Sequence, residues 1–131
     1  MRGALAAGAR RVGLGREAAG DAPLLAELAP CVEVGLLYDR ELGACSTLRS
    51  HPLSALLDAR VPCCLAAGDP ALLGARTAHG LLREFGAARH ALGLGDDALA
   101  ELARASVRAS CAPAELKSRL IADIDMWLAL D

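Results

Sequence analysis

The residues best placed to do chemistry are Gly68-Asp69-Pro70, which close the apolar run Val61–Ala67. A buried strand that ends in a carboxylate presents it at the carboxyl edge of a sheet, where α/β folds carry their sites. Gly68 permits an unusual backbone angle, and Pro70 suits the first turn of a helix. Asp69 then has two uses: it can hydrogen-bond a ligand, or it can cap the helix that Pro70 begins. The histidines are the other candidates. His51 precedes Pro52 at a loop–helix junction. His79 and His90 fall on one expected helix, about 16 Å apart along its axis, and cannot share a metal. A catalytic zinc needs about three protein ligands, and no second ligand stands at helical spacing from any histidine. All three therefore read as structural or solvated. Glu33 sits mid-strand and reads as a rim or edge carboxylate. Gly13-Leu14-Gly15 lacks the third glycine of a phosphate loop.

These residues need strands and helices to hold them. Arg11–Gly15 is a short strand candidate, Cys31–Leu37 a clearer one, and Val61–Ala67 suits a strand buried on both faces. An Ala-rich helical stretch spans Met1 to Gly8. Asp21 to Ala29 reads as a helix capped by Asp21, with Leu24, Leu25 and Leu28 on one face and Pro30 as its stop. Asp39 to Ser50 reads as a long loop, and His51 to Ala59 as a short helix with Leu53, Leu56 and Leu57. Three helices complete the chain. Thr77–Leu92 carries the stripe Leu81, Phe85, Ala88 and Leu92, and ends at Gly93. Asp96 or Asp97 caps the next, striped by Leu99, Leu102, Ala103, Ser106 and Val107. Pro113 starts the last, with Leu116, Leu120, Ile121, Ile124 and Trp127 facing inward.

Strands alternating with helices predict an α/β fold: a parallel sheet of about three βα units followed by terminal helices, in one domain over residues 1–131. Three strands cannot close. A complete (β/α)₈ barrel takes about 250 residues, so the chain has roughly half the length of one.

Composition removes several function classes. The net charge of −2 offers no electrostatic reason for nucleic-acid binding. No apolar run reaches the ~18 residues of a membrane span. Gly3, Gly8 and Arg10 interrupt the N-terminal apolar stretch, so no signal peptide is read. Five cysteines without paired-loop spacing suit reduced, buried thiols in a cytoplasmic protein. Cys63 and Cys64 are adjacent, so a strand would point them to opposite faces.

Several segments together resemble the adenosine deaminase family, the metal-dependent purine deaminase barrels. Gly68-Asp69-Pro70-Ala71-Leu72-Leu73-Gly74 is similar to the family's Asp-Asp-Pro-Ala-Leu-Phe-Gly, at the end of its last barrel strand. Ala4 to Gly15 is similar to the segment ending Arg-Ile-Gly-His-Gly. Val32 to Asp39 resembles the first half of the strand that runs into Cys-Pro-Thr-Ser-Asn. His51-Pro52-Leu53, Leu56-Leu57-Asp58-Ala59 and Val61-Pro62 match closely. Leu102 to Ser110 resembles Leu-Ala-Arg-Asn-Ser-Val-x-Ala-Ser.

The resemblance implies the C-terminal part of a TIM-type barrel, from its sixth strand onward, in a fold that hydrolyses purines with a zinc-activated water. It also shows departures. The family's catalytic histidine is Leu14 here, and its zinc aspartate is Gly68. The family's other zinc histidines belong to strands that precede this chain. Asp69 alone keeps a family role, that of contacting the purine, and no residue is assigned to catalysis or metal. The expectation is a degenerate, non-catalytic relative that holds no zinc of its own. The alternative is one part of a split deaminase, converting adenosine to inosine and ammonia when a separate N-terminal half-barrel chain completes it. Such a sheet, alone, has unpaired edges and an apolar inner face, so self-association is expected.

Overall fold

The computed structural model describes residues 3, 6–13, 22–28, 30–69 and 80–130. Three strands, β1 (Arg11–Gly13), β2 (Cys31–Val34) and β3 (Cys63–Leu65), form one parallel sheet in the order β1-β2-β3. Arg11 pairs with Cys31 and Gly13 with Glu33, while Val32 pairs with Cys63 and Val34 with Leu65. The helices are α1 (Ala22–Leu28), α2 (Leu36–Glu41), α3 (Leu53–Asp58), α4 (Gly80–Leu92), α5 (Asp96–Ala109) and α6 (Ala114–Leu128). The expected parallel α/β pattern is present.

Alternation along the strands sorts the side chains into two faces. Val32, Val34, Cys63 and Leu65 point into a cluster with Leu25 of α1, Leu36 of α2, Leu53 and Leu56 of α3, and Leu99 and Leu102 of α5. Arg11, Cys31, Glu33 and Cys64 take the other face. Here Cys31 and Cys64 are buried against Ala105 and Ala109, further along α5. One helix thus serves both clusters. The inner face was expected to expose Val, Leu and Cys. Instead it carries the ion pair Arg11–Glu33, both half-buried, beside covered cysteines.

Several local expectations change. Cys31–Leu37 is a strand only to Val34; Gly35 interrupts it, and Leu36–Glu41 is helical. The expected long loop therefore starts with α2, and it ends in a 3₁₀ turn, Leu48–Ser50. Thr47 and Ser50 close that turn reciprocally as a capping box. Gly95, not an aspartate, is the N-cap of α5, and Asp96 and Asp97 fall in its first turn. Its buried stripe is Leu99, Ala100, Leu102 and Ala105. On α4, Leu81 is 48% exposed while Glu84 and Ala88 are buried. No residue of α6 is buried, and Leu120 and Trp127 are exposed. Gly93 ends α4 at φ +72°, as expected. The N-cap role of Asp21 and the start of the helix expected from Thr77 lie outside the described residues.

Candidate functional site

The carboxyl edge of the sheet is made by Gly35 after β2 and by Ala66 to Asp69 after β3. The Ala66 amide donates to Val34 O at 2.8 Å, extending the pairing one residue past the strand. Gly35 then lets α2 fold back closely. A Cβ on Gly35 would lie 3.0 Å from Tyr38 Cβ and 3.1 Å from Ala66 O.

This turn brings Tyr38 over Gly68. Gly68 has φ +70°, a conformation that side chains rarely adopt, so its expected backbone freedom is in use. A Cβ built there would run into the Tyr38 ring at Cδ2 and Cγ, and would lie 2.9 Å from its Cβ. Two barriers therefore oppose a carboxylate at position 68: the backbone angle and the tyrosine. Asp69 is exposed beside them. Its possible capping of a helix begun at Pro70 lies outside the described residues, as does Leu14.

Burial settles His51. Its side chain is buried, Nε2 lies 3.0 Å from Asp39 Oδ2, and Nδ1 accepts from the Leu53 amide at 3.1 Å. The backbone donor fixes Nδ1 as the acceptor, so Nε2–H donates to the carboxylate. His51 ties α2 to α3 and has no nitrogen left for a ligand, as the structural reading expects. His90 is exposed on the last turn of α4, and His79 lies outside the described residues. Glu33 pairs with Arg11, and the same guanidinium donates to Cys64 Sγ at 3.6 Å.

Glu84 is a residue that the sequence reading missed. It is fully buried on α4, and its Oε2 accepts from the Leu37 amide at 3.2 Å. The Leu36 and Tyr38 amides also stabilise its charge, while Oε1 has no hydrogen-bond partner among the described residues. Burial nevertheless pushes its carboxyl up from the ordinary glutamate value, and Asp39 adds to the shift. Gly35 gives α2 no side-chain cap, so Glu84 supplies one from another helix. The signal was present: Glu84 lies on the Leu81–Ala88 stripe, a charged residue at a core position.

The zinc implied by the resemblance does not fit these residues. Among the described residues, no three His, Cys, Asp or Glu side chains converge to hold a metal ion. At position 68 the donor is replaced by a hydrogen atom, and Tyr38 fills the space. Two cavities lie away from this edge: a groove of roughly 690 Å³ between α4, α5 and α6, and a pocket of roughly 640 Å³ at the amino ends of the strands. No described helix is long and apolar enough to cross a membrane.

Comparison with known proteins adds a family. Residues 2–127 match the family model described as adenosine deaminase. A Streptomyces coelicolor protein whose name puts it among the adenosine/adenine deaminases is 42% identical over 123 residues, covering 92% of this chain and 35% of that protein. The aminodeoxyfutalosine deaminase of the same organism is 35% identical over 124 residues, covering 92% of this chain and 31% of its own length. The crystal structure of an adenine deaminase from Arthrobacter aurescens superposes with a TM-score of 0.82 at 24% identity, over 92% of this chain and 36% of that one. The N6-methyl-AMP deaminase of Arabidopsis thaliana gives 0.78 at 25% identity, over 95% and 36%. The chain spans about a third of these relatives, less than the half expected from barrel length alone.

Proposed function

The chain belongs to the adenosine deaminase family, and from that premise we propose that it is a non-catalytic member of it. On this reading its strands correspond to the last three of an eight-stranded barrel. The observation that carries the reading is Gly68 under Tyr38. A split enzyme would keep its own share of the metal site, whereas here the ligand position lacks a donor and is covered. Hydrolytic deamination needs a metal-activated water and a carboxyl group to move protons, and a metal needs several ligands converging at once. Asp69 is a single carboxylate and cannot substitute for a ligand set.

The test is metal analysis of the purified chain together with an ammonia assay on adenosine and adenine. The expected outcome is no stoichiometric zinc and no ammonia above a no-protein control. The same assay with an added N-terminal half from a homologue is the sterner form. Activity of that mixture would overturn the non-catalytic reading in favour of a split deaminase.

A further inference from the structure

The amino edge of the sheet gathers several chain segments around one cavity. The Cys31 amide donates to Arg10 O at 2.9 Å and the Val32 amide to Pro62 O at 2.8 Å, so the entries to the three strands lie side by side. Arg10 stands at the entry to β1, Arg60 shortly before β3, and Arg108 in the last turn of α5. All three line the pocket of roughly 640 Å³, a size that suits a small organic molecule. Most of the remaining wall is apolar, with Pro30, Leu57, Val61 and Ala105.

Charge in this pocket is unbalanced. Glu101 is the one acid in its lining, and Arg104 and Arg108 already hold it. Among the described residues, Arg10 and Arg60 enter no salt bridge. Arg60 carries a further signal. Its amide donates to Leu57 O and the Val61 amide to Leu56 O, both at 2.9 Å, which closes α3 around a left-handed residue. Glycine ordinarily takes that place, yet Arg60 holds it at φ +58°, and no other described non-glycine residue has a positive φ. The turn explains the angle but not the guanidinium, and backbone strain collects at ligand sites.

We propose that the amino-end pocket binds an organic phosphate, with the dianionic head between the guanidiniums of Arg10 and Arg60 and the apolar body against Pro30, Val61 and Ala105. A planar guanidinium forks onto phosphate oxygens, and two unpaired forks match a dianion better than the single charge of a carboxylate. The site lies at the opposite edge of the sheet from Gly68 and Asp69, so this inference goes beyond the family reading and does not rest on it.

Isothermal titration of the whole chain in reducing buffer at neutral pH tests it, with phenyl phosphate as the probe and inorganic phosphate and benzoate as comparisons. Phenyl phosphate is expected to bind once per chain, about tenfold or more tighter than either, and to weaken as salt is raised. Arg10→Gln should weaken it about fivefold or more, while Arg49→Gln, outside the pocket, should leave it unchanged. Arg60→Gly separates ligand from fold: it should weaken binding by a like factor and raise the urea midpoint, because glycine suits the left-handed angle. An arginine kept only to complement the carbonyl end of α3 would instead lower the midpoint when replaced. No binding, equal affinity for inorganic phosphate or benzoate, an affinity unchanged in Arg10→Gln or Arg60→Gly, the same loss in Arg49→Gln, or a lower midpoint in Arg60→Gly would overturn the proposal.

Discussion

At the scale of single residues, Tyr38 and Gly68 carry most of the functional reading. Gly68→Asp restores the donor that the family resemblance implies, but it forces a side chain into φ +70° and into the tyrosine ring. We expect it to destabilise the chain by about 2 kcal/mol or more, read by urea denaturation, with Tyr38→Ala recovering part of the loss in the double variant. Adding Leu14→His is expected to yield no deamination, because among the described residues no three metal-ligating side chains converge. An unchanged urea midpoint in Gly68→Asp would show that Tyr38 does not occupy that space. Glu84 makes a second prediction. Its carboxyl is raised by burial, so the folded chain takes up a proton at higher pH than the unfolded chain. Stability is then greatest on the acid side of this window and falls as pH rises from the ordinary glutamate value through the folded one. Glu84→Gln, measured by denaturation at stepped pH, should remove that decline. Sequence reading anticipated Gly68 and His51 because glycine and His-Pro speak locally. Tyr38 and Glu84 escaped it because their roles depend on an element distant in the chain.

At the scale of elements, Leu36 and Leu37 begin a helix where the sequence suggests a continuing strand. An apolar run continuing a strand reads as more strand, and periodicity cannot mark where it ends. What ends it is Gly35 together with Glu84, which receives the free amides of α2 from 47 residues away. Helix identities were legible, but their orientations were less so. The stripes of α4 and α5 are rotated from the expected ones because helices pack on several partners at once. The last helix faces one main partner. Arg104 of α5 reaches Asp125 of α6, and Leu120, Ile124 and Trp127 line a groove that stays open. With no buried residue of its own, α6 should exchange its amide hydrogens much faster than α5 in a native-state hydrogen-exchange experiment. Equal protection in the two helices would mean that the groove is filled in solution.

At the scale of the whole molecule, the parallel sheet of three short strands has β1 and β3 as its edges among the described residues. The expected apolar inner face is largely absent, since α5 covers the cysteines and Arg11 pairs with Glu33. The drive to associate is therefore moved to the strand edges and to exposed Leu82, Met126, Trp127 and Leu130. We expect sedimentation in reducing buffer to show self-association at micromolar concentration. A well-behaved monomer would mean that helices cover enough apolar surface for the chain to stand alone.

The shared use of α5 by both clusters has a further consequence for synthesis. Ribosomes release the chain from its N-terminus at about 5–20 residues per second, and about 40 residues separate the end of β3 from Ala105. The three strands therefore emerge roughly 2–8 s before the helix that closes either face of them. In that interval the nascent sheet has Cys31 and Cys64 uncovered and Val32, Val34 and Leu65 only partly packed. The order in which the polypeptide is made exposes its most vulnerable surface first.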